Sequence, residues 1–268
     1  MPGSTTLRIY REKELYQQNR MIVAIDIGNT NVHVGFYTGN RLSRKLVYAT
    51  RKGAREPSFI ENVRVNVPVA VSIASVVPRI TKQFATFFRK HFGMAIFRVS
   101  SKVETHLSYD YYKPQTLGAD RIANVVGGLA RYKRNLIIVD FGTAITLDIV
   151  LRDGHYLGGI ICPGAQTMAT ALAQHTALLR RVAVVAPSHL VGRSTEECIQ
   201  SGIFRGTVAM VHGLIEKIKT TYRKRFYCIA TGGNGESIAK HIAGINKYDP
   251  HLTLFGTLTT YRYNAKKR

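Results

Sequence analysis

Two stretches of the chain carry one pattern of apolar and polar positions. In Met21 to Phe36, MIVAIDIGNTNVHVGF, the run Ile22, Val23, Ala24 and Ile25 suits a buried strand and stops at Asp26, followed by Ile27-Gly28-Asn29-Thr30. Beyond the turn, Val32, Val34 and Phe36 alternate with Asn31, His33 and Gly35, the period of a half-buried strand returning beside the first. This predicts a hairpin with a carboxylate near the end of its first strand and a polar tip. Gly28 lets the backbone approach a ligand with no Cβ in the way, and Asn29, Thr30 and Asn31 bring polar groups to the tip, which suits phosphate.

The pattern returns at Leu136 to Leu151. Asp26 falls on Asp140, Gly28 on Gly142 and Asn29 on Thr143 without a gap, and both copies run on to a second turn, Thr38-Gly39-Asn40 and Arg152-Asp153-Gly154. One Asp-x-Gly after a strand reads as a capped turn, but two in matched context read as a duplicated domain. Its acidic turns, facing each other across a cleft, offer carboxylates to a metal and backbone cradles to the phosphates of a nucleotide. The chain has no G-x-x-x-x-G-K-[ST] and no G-x-G-x-x-G after a strand, which disfavours Walker-type and dinucleotide sites.

Between and after the copies, the pattern predicts a strand at Arg41 to Tyr48, a polar connection at Arg51 to Pro57, a helix at Ser58 to Val65 and a strand at Val69 to Ala74. Pro78 opens a helix running to Phe92, with Ile80, Phe84, Phe87 and Phe88 on one core-facing side. A helix from Gly118 to Arg131 follows a tyrosine-rich break. Further helices are expected at Ala165 to Leu179, from Thr195 and at Val208 to Tyr222. A strand at Phe226 to Ala230 ends in Thr231-Gly232-Gly233-Asn234-Gly235, and a last strand at Leu252 to Phe255 precedes a helix after Gly256.

Asp120 and Arg121 fall in the first turn of the Gly118 helix. Asp120 either complements the helix dipole or, with Arg121 gripping a substrate carboxylate, accepts a proton from a substrate hydroxyl. His175 has no second histidine or carboxylate at metal-ligand spacing and reads as a surface residue.

Composition changes the picture in three ways. With 268 residues and 45% hydrophobic content the chain can bury its core without staples. Cys162, Cys198 and Cys228 are an odd number without a C-x-x-C, which fits a reducing cytoplasm. The longest apolar stretch, Val67 to Val77, is too short and too polar to span a membrane, and residues 1–20 lack a secretory core and read as an extension. A formal net charge of +22 attracts polyanions, but no helix-turn-helix, RNP motif or finger spacing accompanies it, so nucleic acid enters only through non-specific charge.

Six motifs together are informative. Asp26-x-Gly28-Asn29-Thr30, Ser75-Val76-Val77-Pro78, Gly118-Ala119-Asp120-Arg121, Asp140-x-Gly142-Thr143-Ala144-x-Thr146-x-Asp148, Gly158-Gly159-x-Ile161-x-Pro163-Gly164 and Gly192-Arg193-Ser194-Thr195 come in the order and spacing of type III pantothenate kinases, over roughly Met21 to Leu258. That family resembles the actin, Hsp70 and sugar-kinase superfamily. The resemblance implies an α/β fold of duplicated ribonuclease-H-like halves, with mixed sheets flanked by helices and nucleotide in the cleft between them. The halves are expected at 21–130 and 131–268, after the extension at 1–20.

The resemblance also implies ATP-dependent phosphorylation of pantothenate to 4′-phosphopantothenate, the first step of coenzyme A synthesis, in a cytoplasmic homodimer. Asp26, Ile27, Gly28, Asn29, Thr30, Asn31, Val32 and His33 would form the first phosphate loop and Thr143 the second. Asp120 would be the proton acceptor, ionised with the help of Arg121. Pantothenate would be held by Tyr111, Gly118, Ala119, Asp120 and Arg121, and by Thr195 of the partner subunit. Asp140 would hold potassium or ammonium, and magnesium would arrive with ATP. Thr195 also reads as capping or beginning a helix. Tyr112, where an Asp or Asn is common, His33 in the first loop and the high charge depart from the family pattern. The alternative function is a kinase-derived accessory factor that binds nucleic acid in transcription.

Overall fold

The computed structural model describes residues 21–233 and 235–265, so the expected extension at 1–20, Asn234 of the glycine turn and the terminal Lys266-Lys267-Arg268 lie outside the described residues. Contacts divide the described chain into two compact units.

Of the described residues, the first unit holds 21–105, Gln115–Ala123 and 253–265. Its strands are β1 (Met21–Ile27), β2 (Asn31–Thr38), β3 (Arg41–Ala49), β4 (Ala70–Ser75) and β5 (Phe97–Arg98), joined in the order β3-β2-β1-β4-β5. β1 pairs antiparallel with β2 and parallel with β4, so the sheet is mixed. One face carries Val23, Ile25, Ile27, Val32, Val34 and Phe36 against α1 (Pro57–Val65) and α2 (Pro78–Phe92). There Phe59 meets Phe84 edge-on at 5.1 Å, and Ile80, Phe84 and Phe88 of the expected core-facing side of α2 are buried. On the other face Ala24 and Tyr37 pack with Leu254 and Leu258 of the last helix.

The second unit holds His106–Pro114 and Asn124–Leu252. Its strands are β6 (Ser108–Tyr109), β7 (Leu136–Phe141), β8 (Ala144–Val150), β9 (His155–Pro163), β10 (Tyr227–Thr231) and β11 (Lys247–Tyr248), in the order β11-β10-β7-β8-β9-β6. Apart from β6, this is the order and direction of the first sheet: an antiparallel three-stranded meander, then two parallel strands on the other side of its first strand. The duplication read from the sequence is therefore a duplication of topology. Its core gathers Ile137, Val139, Leu147, Phe204, Val211 and Ile215 from the sheet and α5 (Thr195–Tyr222), with α4 (Ala165–His175) and the short α6 (Gly235–Ala239) beside them.

Four expectations change. The two copies do not match without a gap: Asp26 pairs with His33 but Asp140 with Thr146, because the first hairpin turns over Gly28 to Thr30 and the second over Gly142 and Thr143. The expected last strand at Leu252 to Phe255 is instead the start of helix α7 (Leu252–Ala265), whose Leu254 and Leu258, one turn apart, are buried. A short apolar run fits either period, and burial decides. The helices expected from Thr195 and from Val208 are one, because Gly202 and Gly206 meet open space while Ile199, Ile203, Thr207, Val211, Ile215 and Ile218 continue the buried stripe. The helix from Ala165 ends at His175, where Thr176 is extended.

The units also differ from segments 21–130 and 131–268. α3 (Ala119–Tyr132) is divided between Ala123 and Asn124, β6 joins the later sheet by pairing with β9, and α7 packs on the first sheet. Among the described residues no helix is long and apolar enough to cross a membrane.

Candidate active site

In the first unit, the turn after β1 is tied at its base. Gly28 N–H donates to Asn31 O at 3.0 Å, the buried Thr50 hydroxyl donates to Gly28 O at 2.7 Å, and Thr50 N–H donates to Thr30 O at 2.9 Å. Asn29, Thr30 and Asn31 are left exposed at the tip, while Ile27 and Val32 are fully buried and present only backbone. Asp26 and His33 are register partners below the tip. Lys45 of β3, which the sequence reading passed over, is half-buried: burial lowers its ammonium pKa and the charge of Asp26 raises it. A half-buried lysine on an exposed edge strand has no sequence signal of its own.

The Gly118-Ala119-Asp120-Arg121 motif opens α3. Asp120 Oδ1 accepts the Arg121 N–H at 2.8 Å, and a Cβ on Gly118 would overlap that oxygen, so glycine makes room for the carboxylate. The Asp120 pKa is raised, first by burial, with the Arg121 N–H and guanidinium pulling the other way. Arg121 favours the ionised carboxylate, as expected, but desolvation outweighs it. Arg121 is itself buried. Val76 approaches Gly118 from the Ser75 to Pro78 motif, where Ser75 Oγ accepts Val77 N–H at 3.0 Å and the Thr81 hydroxyl at 2.7 Å. That motif closes the entrance to α2.

In the second unit, Gly142 N–H donates to Ala144 O at 3.0 Å, and Thr143 O accepts from Gly164 N–H at 2.9 Å and from the Thr167 hydroxyl at 2.6 Å, leaving the Thr143 residue exposed. Gly164 belongs to the Gly158 to Gly164 motif, and a Cβ there would collide with the carbonyls of Gly142 and Thr143. Asp140 Oδ2 accepts from the Asn124 carboxamide at 2.8 Å, and Asn124 is fully buried. Gly232, at φ +95°, lies so close that a Cβ would stand 2.5 Å from Asp140 Oδ1, and its carbonyl accepts from the Tyr248 hydroxyl at 2.8 Å. Gly233 faces open space.

Tyr111 stands edge-on to Tyr156 at 6.0 Å, and the buried Tyr156 hydroxyl donates to Asp148 Oδ1 at 2.7 Å. Asp148, the last acidic residue of the duplicated motif, therefore supports the ring that backs Tyr111. Thr195 is exposed at the start of α5. Of the two expected places for Thr195, capping or beginning the helix, it takes the second: the cap is Ser194, whose hydroxyl accepts Glu197 N–H at 3.2 Å while Glu197 Oε2 accepts Arg193 N–H. Capping thus places no demand on the Thr195 side chain. Among the described residues no group of three or more His, Cys, Asp or Glu is placed to hold a metal ion.

The family model for type III pantothenate kinases matches residues 22–217. A type III pantothenate kinase of Geobacter sulfurreducens is 36% identical over 255 residues, 92% of this chain and all of that one. Among solved structures, a chain from Campylobacter jejuni described as a candidate Baf family transcriptional activator is similar at TM-score 0.57 and 20% identity, over 92% of this chain and 99% of that one. A ROK hexokinase of Thermus thermophilus is similar at TM-score 0.53 and 14% identity, over 92% of this chain and the whole of the other. At these identities the structures show a shared fold and nothing narrower. The family model and the relative, covering most of the chain and including every motif of both acidic hairpins, carry the assignment: the chain belongs to the type III pantothenate kinase family.

Proposed function

We propose that the protein transfers the terminal phosphoryl group of ATP to the primary hydroxyl of pantothenate, giving 4′-phosphopantothenate and ADP, with Asp120 as general base. The observation that carries this reading is the setting of Asp120: a carboxylate in the first turn of α3, given room by Gly118, oriented by the Arg121 N–H and partly desolvated. A raised pKa makes it the better proton acceptor once ionised. Phosphoryl transfer asks mainly for alignment and charge neutralisation. The backbone of Asp26 to His33 and Thr143 serve the phosphates, and one preorganised donor of this kind is worth roughly 3 kcal/mol.

Tyr111, Gly118, Ala119, Arg121 and the Thr195 of a second copy hold pantothenate, Arg121 as partner for its carboxylate. The exposed, uncapped position of Thr195 suits such a role and favours a homodimer. Magnesium arriving with ATP would supply charge neutralisation at the phosphates held by the Asp26 to His33 backbone and Thr143. Asp140 would hold the monovalent cation with its carboxylate, which the Asn124 carboxamide orients through Oδ2 and the Gly232 backbone approaches at Oδ1.

The test is ATP consumption with and without pantothenate, in potassium and in sodium buffer, for wild type and Asp120→Asn. The expected result is turnover that needs pantothenate, is stimulated by potassium and falls at least about a hundredfold in the variant. Turnover retained in Asp120→Asn removes Asp120 from its role, and a folded wild type that never consumes ATP with pantothenate removes the reaction.

A further inference from the structure

The +22 charge is unexplained by the kinase reaction, and in the second unit six of the basic residues lie together at one end of the sheet. Strands β8, β7 and β10 are adjacent, and Leu136 pairs with both Val150 and Tyr227. Three loops therefore meet at one end of the sheet: 133–135 before β7, 151–154 after β8 and 223–226 before β10. They carry the exposed Lys133, Arg134, Arg152, Arg223, Lys224 and Arg225 against a single carboxylate, Asp153. Among the described residues none of the six enters a salt bridge. Two strand spacings make the row about 10 Å wide before side chains are counted, wider than one phosphate group.

The loops are fastened to one another. Asn135 accepts Arg152 N–H at 2.9 Å through Oδ1, donates through Nδ2 to Arg225 O at 3.2 Å, and accepts Tyr227 N–H at 2.9 Å through its backbone carbonyl. Lys133 and Arg223 take left-handed φ of 53° and 49° where α3 and α5 end, positions at which glycine is usual. One cation per helix end would complement the two helix dipoles; six exceed that need. Aromatic rings lie among them: Arg134 sits 5.0 Å over the Tyr227 ring, Tyr132 packs on Tyr227 at 5.5 Å, and the exposed Tyr222 stands beside Phe226.

We infer that this end of the sheet is a binding surface for single-stranded nucleic acid, contacted through its phosphate backbone without base reading. Interleaved cations and aromatic faces suit that ligand, the cations for phosphates and the rings for unpaired bases. The row lies at the start of β7 and Asp140 near its end, roughly 15 Å apart by strand rise, so binding here leaves the kinase machinery of this unit uncovered.

The test is fluorescence anisotropy of a labelled thymidine oligonucleotide about 20 nucleotides long, titrated between about 50 and 200 mM salt. The patch triple variant Arg134→Ala, Arg152→Ala, Arg225→Ala is compared with a control of equal charge in the first unit, Arg41→Ala, Arg44→Ala, Lys90→Ala. The expected result is binding weakened at least tenfold in the patch variant only, with the slope of log affinity on log salt reduced by about 2, near 0.7 per lost phosphate contact. Arg-to-Lys substitutions at the same three positions keep most of the binding, and pantothenate-dependent turnover is unchanged throughout. Equal loss in both triples, no binding by wild type at the lowest salt, or binding of inorganic polyphosphate but not the oligonucleotide each overturns the proposal.

Discussion

Asn124 donates its carboxamide to Asp140 Oδ2 at 2.8 Å from a fully buried position one helical turn beyond Asp120. The helix that carries Asp120, proposed as the general base, thus also orients Asp140, the carboxylate proposed for the monovalent cation. Asn124→Ala is expected to raise the potassium concentration for half-maximal activation by about tenfold to a hundredfold, the range typical of lost outer-shell support. Potassium should also protect the variant less against heat than it protects wild type. A variant that is merely less stable, with unchanged potassium activation, would confine Asn124 to a structural role.

The pH behaviour of Asp120 follows from its burial. Its folded pKa is raised, so between the unfolded and folded values the native state holds a proton the unfolded chain has released, and stability falls as pH rises through that window. Asp120→Asn is therefore expected to raise the melting temperature at neutral pH and to make no difference below the ordinary aspartate range. Wild-type turnover should decline on the acid side above that range. A melting gain independent of pH would show that desolvated charge is not its cause.

Gly118→Ala tests the same carboxylate by displacing it. The added methyl would overlap Asp120 Oδ1, and the side chain has to rotate away. Turnover should fall by about a hundredfold, the scale of a misplacement near 1 Å, with the affinity for ATP intact. An unaltered rate would mean that the observed carboxylate position is not the working one.

Gly232→Ala should be worse for the fold. It combines a φ of +95° with a Cβ placed 2.5 Å from Asp140 Oδ1 and 2.6 Å from Phe141 O. Forcing a side chain into that backbone region costs about 1 to 3 kcal/mol, and the clash with Asp140 should weaken potassium activation as well. Thermal denaturation and a potassium titration on one sample measure both.

Much of this was legible in the chain because two signals coincide at each acidic hairpin: a strand period and a carboxylate before glycine. Pro78 and Gly118 marked helix starts for reasons local to their own backbones. Asn124 was not legible, since a polar residue in a helix says nothing until a partner sixteen positions later is placed against it. Lys45 was missed for the same reason, as its surroundings come from other strands. The helix beginning at Leu252 was misread because the periodicity of four apolar and threonine residues is ambiguous and only the sheet beneath them decides.

That last helix has a consequence for how the protein is made. Ser72 Oγ donates to Thr257 O, 185 residues away, and Arg262 bonds to Asn40 across 222 residues, so one face of the earliest sheet is covered by almost the final segment of the chain. At ribosomal rates of about 5 to 20 residues per second, Ala24 and Tyr37 wait roughly 10 to 40 s for their cover. Contacts so distant in sequence also slow refolding. During synthesis the N-terminal sheet is an incomplete folding unit whose bare face is open to chaperones and to misassembly, and a chain truncated before α7 never leaves that state.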